Sequence, residues 1–242
     1  MAEQLDLETG FDEAAPRYDL LVALNPGYHH HLRAGARDLV DPLAADAGGA
    51  SSLVDLGCGS GASTIALTLA APGARVVGVD ASSGMLAQAR RKPWPDGVEF
   101  IHSAAQRFDA VLADRGIGAV DGVFAAYLLR NVPDHQRDDV VTAVASALRP
   151  GGRFVTQEYS VAGRPLAIGV WSLVCWLVVV PLSVIVRGHP RLYRYLWRSV
   201  LDFDSTAVLA DRFRRAGLVD VRVSTVGGWQ RGILHTVSGR RP

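Results

Sequence analysis

A chain of 242 residues, 49% of them hydrophobic and 20% charged, is long enough to bury the core of one α/β domain and too apolar to stay unfolded. Its formal net charge of +1 gives no global electrostatic reason to bind nucleic acid. The two cysteines, Cys58 and Cys175, offer neither a disulfide framework nor a metal-ligand spacing, so no metal and a reducing, cytoplasmic setting are expected.

The opening "MAEQLDLETGFDEAAPRYD" is acidic and has no basic patch leading into an apolar stretch, which predicts no signal peptide. Helical patterns follow at about 11–24 and 28–45, parted by the turn residues Asn25, Pro26 and Gly27. Together they form an expected helical lid over residues 1–45, ahead of a main domain at 46–242. Within the second helix, "YHHHLR" reads as a solvated face rather than a metal site. The period then changes. "SSLVDLG", "ARVVGVD", "GVEFIHS", "AVDGVFAAYLL" and "GGRFVTQEY" are short β-branched or aromatic runs, with helical patterns at 62–70, 82–91 and 134–148 between them and a further one at 205–216. This alternation predicts a mostly parallel sheet with helices on both faces. "LRPGGRF" predicts a helix that stops at Pro150 and Gly151, with a strand directly after it. Near the end, "LVDVRVSTVGGWQRGILHTVSG" reads as two strands joined at Gly227 and Gly228, an antiparallel hairpin at the edge of a seven-stranded sheet.

The segment "LVDLGCGSGAST" places Gly57, Gly59 and Gly61 between a strand ending near Asp55 and a helix starting near Ala62. Asp80 closes the next strand, about twenty residues on, where an acid accepts hydrogen bonds from both ribose hydroxyls of a nucleoside. Dinucleotide-binding proteins share that much. A dinucleotide, however, sets its pyrophosphate on the helix N-terminus, and a carboxylate at Asp55 repels it. A cationic amino-acid moiety is attracted instead. S-adenosyl-L-methionine carries one, and its ribose suits Asp80; a glycine turn with no ligand and an NAD site are the alternatives.

From these residues the chain resembles a class I S-adenosylmethionine-dependent methyltransferase, through "DLGCGSG", "VVGVDASSGMLAQAR" and "ALRPGGRF". "LLRNVPD", followed by "LRPGGRFVTQEYS", is similar to the ubiquinone/menaquinone biosynthesis C-methyltransferases. "RYDLLVALNPGYHHHLR", "YRYLWRSVLDF" and "GGWQRGILHTVSG" extend the likeness over about residues 16–238. The resemblance implies a Rossmann-like fold and a cofactor-binding set of Tyr18, Asp55, Gly57, Gly59, Ser60, Gly61, Asp80, Ala81, Met85, Ser103, Ala104 and Ala126. Two departures stand out. "HSAAQRF" lacks the acid or amide that usually meets adenine, which leaves backbone amides at Ser103 and Ala104, and Leu128 replaces the family's glycine.

Methyl transfer to carbon needs a hydroquinone hydroxyl to lose its proton, so that the adjacent ring carbon becomes electron-rich. The resemblance points to Arg130 as the residue nearest this event. A guanidinium is too weak an acid to serve as a base, so Arg130 is expected to stabilise the developing phenolate while an aligned water takes the proton; a plain salt bridge to the sheet is the alternative. Glu158, near the end of its strand, and His235, within the last strand, are further candidates for proton handling. Tyr18 is expected to close over the cofactor, or else to pack in the core.

The run at 165–186 carries no charge between Arg164 and Arg187 and is long enough for a transmembrane helix. A single crossing would put strands of one sheet on opposite sides of a bilayer, so a shallow hairpin, an in-plane helix or a lid is expected. "RGHPRLYRYLWRS" then interleaves arginines with aromatics, a composition suited to the headgroup layer. An insertion at about 160–204 that meets the membrane through 165–198, or alternatively roofs the pocket as a buried helix pair, implies a small lipophilic acceptor. Demethylmenaquinol is the leading one. Methylation at oxygen or nitrogen of another hydrophobic acceptor is the rival, and a non-catalytic cofactor- or lipid-binding module is a third reading.

Overall fold

The computed structural model describes residues 27–47, 51–181 and 190–242; the expected first helix at 11–24, with Tyr18 in it, lies outside the described residues. The described elements are α1 (Tyr28–Ala47), β1 (Ser52–Leu56), α2 (Ala62–Ala70), β2 (Arg75–Asp80), α3 (Ser83–Arg90), β3 (Val98–His102), α4 (Phe108–Asp114), β4 (Val120–Ala126), α5 (Asp134–Ala147), β5 (Leu148–Tyr159), α6 (Pro165–Val174), α7 (Pro190–Leu201), α8 (Thr206–Arg215), β6 (Val219–Thr225) and β7 (Leu234–Arg240). All seven strands lie in one sheet of order β3-β2-β1-β4-β5-β7-β6. Strands β1 to β5 pair in parallel, and β7 runs antiparallel to both β5 and β6. The expected Rossmann-like sheet with an edge hairpin is therefore present.

Alternating side chains send two apolar surfaces outward from the sheet. On one face Val54, Val77, Val123 and Phe154 meet Phe108 and Leu112 of α4, Val140 and Val144 of α5, and Phe213 of α8. On the other, Leu53, Val76, Phe124 and Val155 meet Leu32, Ala36, Leu39 and Leu43 of α1, Leu67 of α2 and Trp171 of α6. The spacing of the α1 residues is that of one helical face. So α1 is built into the core layer; only its first residue, Tyr28, reaches the cleft described below.

Two local expectations change. Helix α5 stops at Ala147, before Pro150 and Gly151, because Leu148 is already extended (ψ 145°) and pairs with Val120 of β4. Helix α4 arises where no helix was expected; seven residues are too few to display a clear period, and burial of Phe108 and Leu112 on the sheet holds them.

Candidate active site

The parallel strand order reverses between β1 and β4, and the carboxyl ends of these strands open onto a cleft of about 1030 Å³, its open mouth included. One wall is the glycine loop. Gly57, Gly59 and Gly61 all have positive φ (76°, 53° and 91°), and the loop is tied to β2 by Gly57 and Cys58 N–H groups donating to the Val79 carbonyl at 2.7 and 3.1 Å. A side chain at Gly57 would strike Leu128 at 2.9 Å, and one at Gly61 would strike Trp94 at 2.8 Å. Those two glycines admit protein neighbours, and Gly61 does not line the cleft. Gly57, Gly59 and Ser60 do.

Asp80 stands in the wall at the end of β2. Its Oδ2 accepts from Gly59 N–H at 2.7 Å and its Oδ1 from Ser82 N–H at 2.8 Å. Ala81 and Met85 continue this wall, with Ser82 capping α3 by accepting from Met85 N–H at 3.1 Å. Ser103, Ala104 and Ala126 also line the cleft, as does Gln106, a residue not singled out in the sequence. Ala62 and Ser63 open α2, whose N-cap Gly61 supplies no side-chain hydrogen bond.

Asp55 does not reach the cleft. It is fully buried beneath the loop, where its Oδ2 accepts from Ser63 Oγ (2.8 Å) and Thr64 Oγ1 (2.6 Å). Desolvation pushes its carboxyl up to about 7, against the hydrogen bonds from Thr64 and Ser63. Ser63, which Asp55 holds, lines the cleft where Asp55 does not, and among the described residues Asp80 is the acid in its wall.

Opposite, Tyr127 ends the β4 turn with φ 59°, an uncommon backbone for a non-glycine residue. Its ring stacks between Tyr28 (centroids 5.3 Å) and Tyr159 (5.0 Å), and Tyr159 in turn meets Trp171 of α6 at 5.0 Å. Tyr28 and Tyr127 line the cleft. Neither was singled out in the sequence; the "YLLRN" and "GYHHH" motifs are visible only as neighbours of better-known residues.

Arg130 and Asn131, on a single turn of 3₁₀ helix, complete the wall. The Arg130 NH1 nitrogen donates to Asn131 Oδ1 and to Ser199 Oγ, both at 3.0 Å, while its Nε faces Glu158 Oε2 at 3.9 Å. Among the described residues Nε is buried without a hydrogen-bond partner and NH2 has none either, while the residue as a whole lines the cleft. Glu158 is itself outside the cleft. It is buried on β5, accepts from Leu129 N–H at 2.5 Å, and is pushed up to about 7 by desolvation, against the Arg130 charge. His235 lies opposite Glu158 in the β5–β7 register, is buried, and sits 3.4 Å from Arg164 rather than at the cleft. Burial holds its imidazole below the usual histidine value. The structure thus brings Arg130 to the cleft and sets Glu158 and His235 behind it.

In the described part of the insertion, α6 exposes most of its apolar side chains. Helix α6 continues into a π-helical turn at Cys175–Val179 and turns Trp171 and Cys175 inward. Leu166 (87% exposed), Leu173 (61%), Trp176, Leu177 (67%) and Val178 face outward. Trp171 and Trp197 donate to the Trp197 carbonyl and to Ser172 Oγ respectively, which ties α6 to α7. Among the described residues no helix is long and apolar enough to cross a membrane.

A model of the ubiE/COQ5 methyltransferase family matches residues 2–237. The chain is 35% identical over 209 residues to a demethylmenaquinone methyltransferase of Thermus thermophilus, covering 86% of this chain and 90% of that one. It is 31% identical over 237 residues to a ubiquinone/menaquinone biosynthesis C-methyltransferase UbiE of Bradyrhizobium diazoefficiens, covering 96% and 89%. Among solved structures, the fold is like that of N-methyltransferase NodS from Bradyrhizobium japonicum, solved with S-adenosyl-L-homocysteine (TM-score 0.61, 16% identity, 99% and 98% covered). It is also like that of a Haloferax volcanii complex of the Trm112 activator with a methyltransferase (TM-score 0.64, 18% identity, 96% and 97% covered). At those identities the two structures speak for the fold alone.

Proposed function

Given that the chain belongs to the ubiE/COQ5 methyltransferase family and is an S-adenosylmethionine-dependent methyltransferase, we propose that it methylates a ring carbon of a lipophilic quinol, such as demethylmenaquinol, at a membrane surface. The observation that carries this reading is the Arg130 guanidinium in the wall of the same cleft as the glycine loop and Asp80, its NH2 group without a hydrogen-bond partner among the described residues.

The cleft fits the cofactor. Asp80 has its oxygens oriented by Gly59 and Ser82, which suits it to accept from ribose hydroxyls. The start of α2, with no side-chain cap, suits the carboxylate of an amino acid. Met85 and Ala81 offer apolar surface to a base, and Ser103 and Ala104 offer backbone to its edge. When bound, S-adenosylmethionine supplies a methyl group on a sulfonium, open to in-line attack.

The chain's own task is to raise and orient the nucleophile. Arg130 NH2 stabilises the oxygen anion that forms as the quinol gives its proton to an aligned water, and charge then flows to the neighbouring ring carbon. Glu158 supports the guanidinium from behind, next to the Leu129 amide it already holds. Tyr28, backed by the Tyr127 ring it stacks on, gives a flat apolar wall for an aromatic ring and helps keep water from the reacting atoms. The outward apolar face of α6, with Arg194 and Arg198 exposed on α7, supports contact with a bilayer that holds the acceptor.

The test is turnover by the full chain with S-adenosylmethionine and demethylmenaquinol in lipid vesicles. A product heavier by one CH2 is expected, with a methyl on the ring carbon in place of the hydrogen that leaves as a proton. Methyl on oxygen, or turnover only with another hydrophobic acceptor, replaces the quinol reading; no product from any quinol ends it.

A further inference from the structure

A guanidinium holds its five N–H donors in one rigid plane, so the partners of some fix the direction of the rest. Two of the groups that orient Arg130 are local to the sheet: Asn131, its chain neighbour, and Glu158 on β5. The third is not. Ser199 comes from α7, 69 residues further along, inside the apolar and basic insertion. Its hydroxyl has one hydrogen and donates it to the Leu196 carbonyl at 3.0 Å, so a lone pair is what it turns toward Arg130 NH1. At 8% exposure water competes little for that lone pair. A second, longer contact runs in parallel: the Tyr195 hydroxyl of α7 lies 3.4 Å from Asn131 Oδ1, the oxygen that accepts from Arg130. Helix α7 is fixed in turn by the Trp171 and Trp197 bonds to α6 and, just past its end, by Asp204 between Arg137 and Arg212.

Without Ser199, NH1 keeps one partner and Nε only the longer 3.9 Å ion pair to Glu158, so the plane is held less firmly about Asn131. NH2 then loses its aim at the oxygen it must stabilise. We propose that Ser199 is a positioning residue for Arg130, which makes the insertion a working part of the methyl-transfer site in addition to its lipid contact. The assignment rests on the role given to Arg130 above.

The experiment compares the full-length wild type with Ser199→Ala and Ser199→Thr, using S-adenosylmethionine and a short-chain quinol. Ser199→Ala is expected to lower kcat about ten-fold, the scale of a misaimed donor, while KM for S-adenosylmethionine and the melting temperature hold. The acid limb of its kcat–pH profile moves to higher pH, because the phenol ionises less readily beside a loosened cation. Ser199→Thr keeps a hydroxyl and restores most of kcat. Wild-type kcat and pH profile in Ser199→Ala overturn the assignment, as does a loss in both variants that tracks a fall in melting temperature. An active wild type with an unaltered Ser199→Ala sinks this assignment alone; a wild type that methylates no quinol sinks the function it rests on, and this with it.

Discussion

Arg130 and Glu158 oppose each other across 3.9 Å in the protein interior, and among the described residues neither Nε of the one nor Oε2 of the other has a hydrogen-bond partner. The pair is a loose ion pair in a place that disfavours charge. Glu158 is pushed up to about 7, chiefly by desolvation, and Asp55, on the other face of the sheet, is pushed up to about 7 for the same reason.

That raises a pH prediction with a definite sign. Both carboxyls bind protons more tightly folded than unfolded, where they titrate near 4.5 and 3.8. Their contribution to stability is whole below the unfolded values and is lost as pH rises through about 7. Melting temperatures of Glu158→Gln and Asp55→Asn, each measured against wild type from pH 5 to pH 8, should therefore move in the variant's favour as pH rises. A difference that is constant with pH refutes the burial account.

Asp80→Ala should weaken S-adenosylmethionine binding by about 1–3 kcal/mol in calorimetric titration, the scale of a charge-assisted hydrogen bond. It also releases the Gly59 and Ser82 amides that shape the loop. Asp80→Asn, which can still accept from one of those amides, should lose less. Unchanged titrations remove Asp80 from the cofactor site.

Asp204 lies buried between Arg137 and Arg212, at 3.0 and 2.7 Å. Asp204→Ala should cost roughly 3 kcal/mol in denaturant unfolding, since two buried guanidinium groups lose a partner. Arg212 keeps Asp134 and Asp138, and Arg137 keeps the Leu129 and Val132 carbonyls, so the fold should survive. Arg137→Met in the Asp204→Ala background should recover part of the loss. Full additivity of the two substitutions contradicts the shared network.

Leu173→Glu combined with Leu177→Glu should abolish co-sedimentation with vesicles containing anionic lipid while leaving S-adenosylmethionine binding intact. Both side chains face outward and neither lines the cleft. Retained sedimentation places the lipid contact elsewhere on the chain.

Much of the lining of the candidate cleft is legible in the sequence because a few residue types have strong local reasons to be where they are. Gly57, Gly59 and Asp80 sit on a loop and a strand end whose geometry is set within a short stretch. Arg130 was readable through motif likeness, not through spacing. Tyr28 and Tyr127 were missed because each owes its place to the other's ring, and rings far apart in sequence give no local period. The place of Asp55 was out of reach for a related reason: its charge is visible in the sequence, but its burial behind Ser63 and Thr64 depends on how α2 returns over β1.

The sequence by itself determined the strand-and-helix alternation, the edge hairpin, the glycine turn and the uncharged run, since periodicity and backbone freedom are properties of neighbouring residues. Only the tertiary structure decided which acids face the cleft, that α1 belongs to the core, that α6 exposes its apolar side, and that α7 reaches back to Arg130 through Ser199. Those outcomes turn on desolvation and on contacts between distant segments, and both come into being when the chain closes on itself.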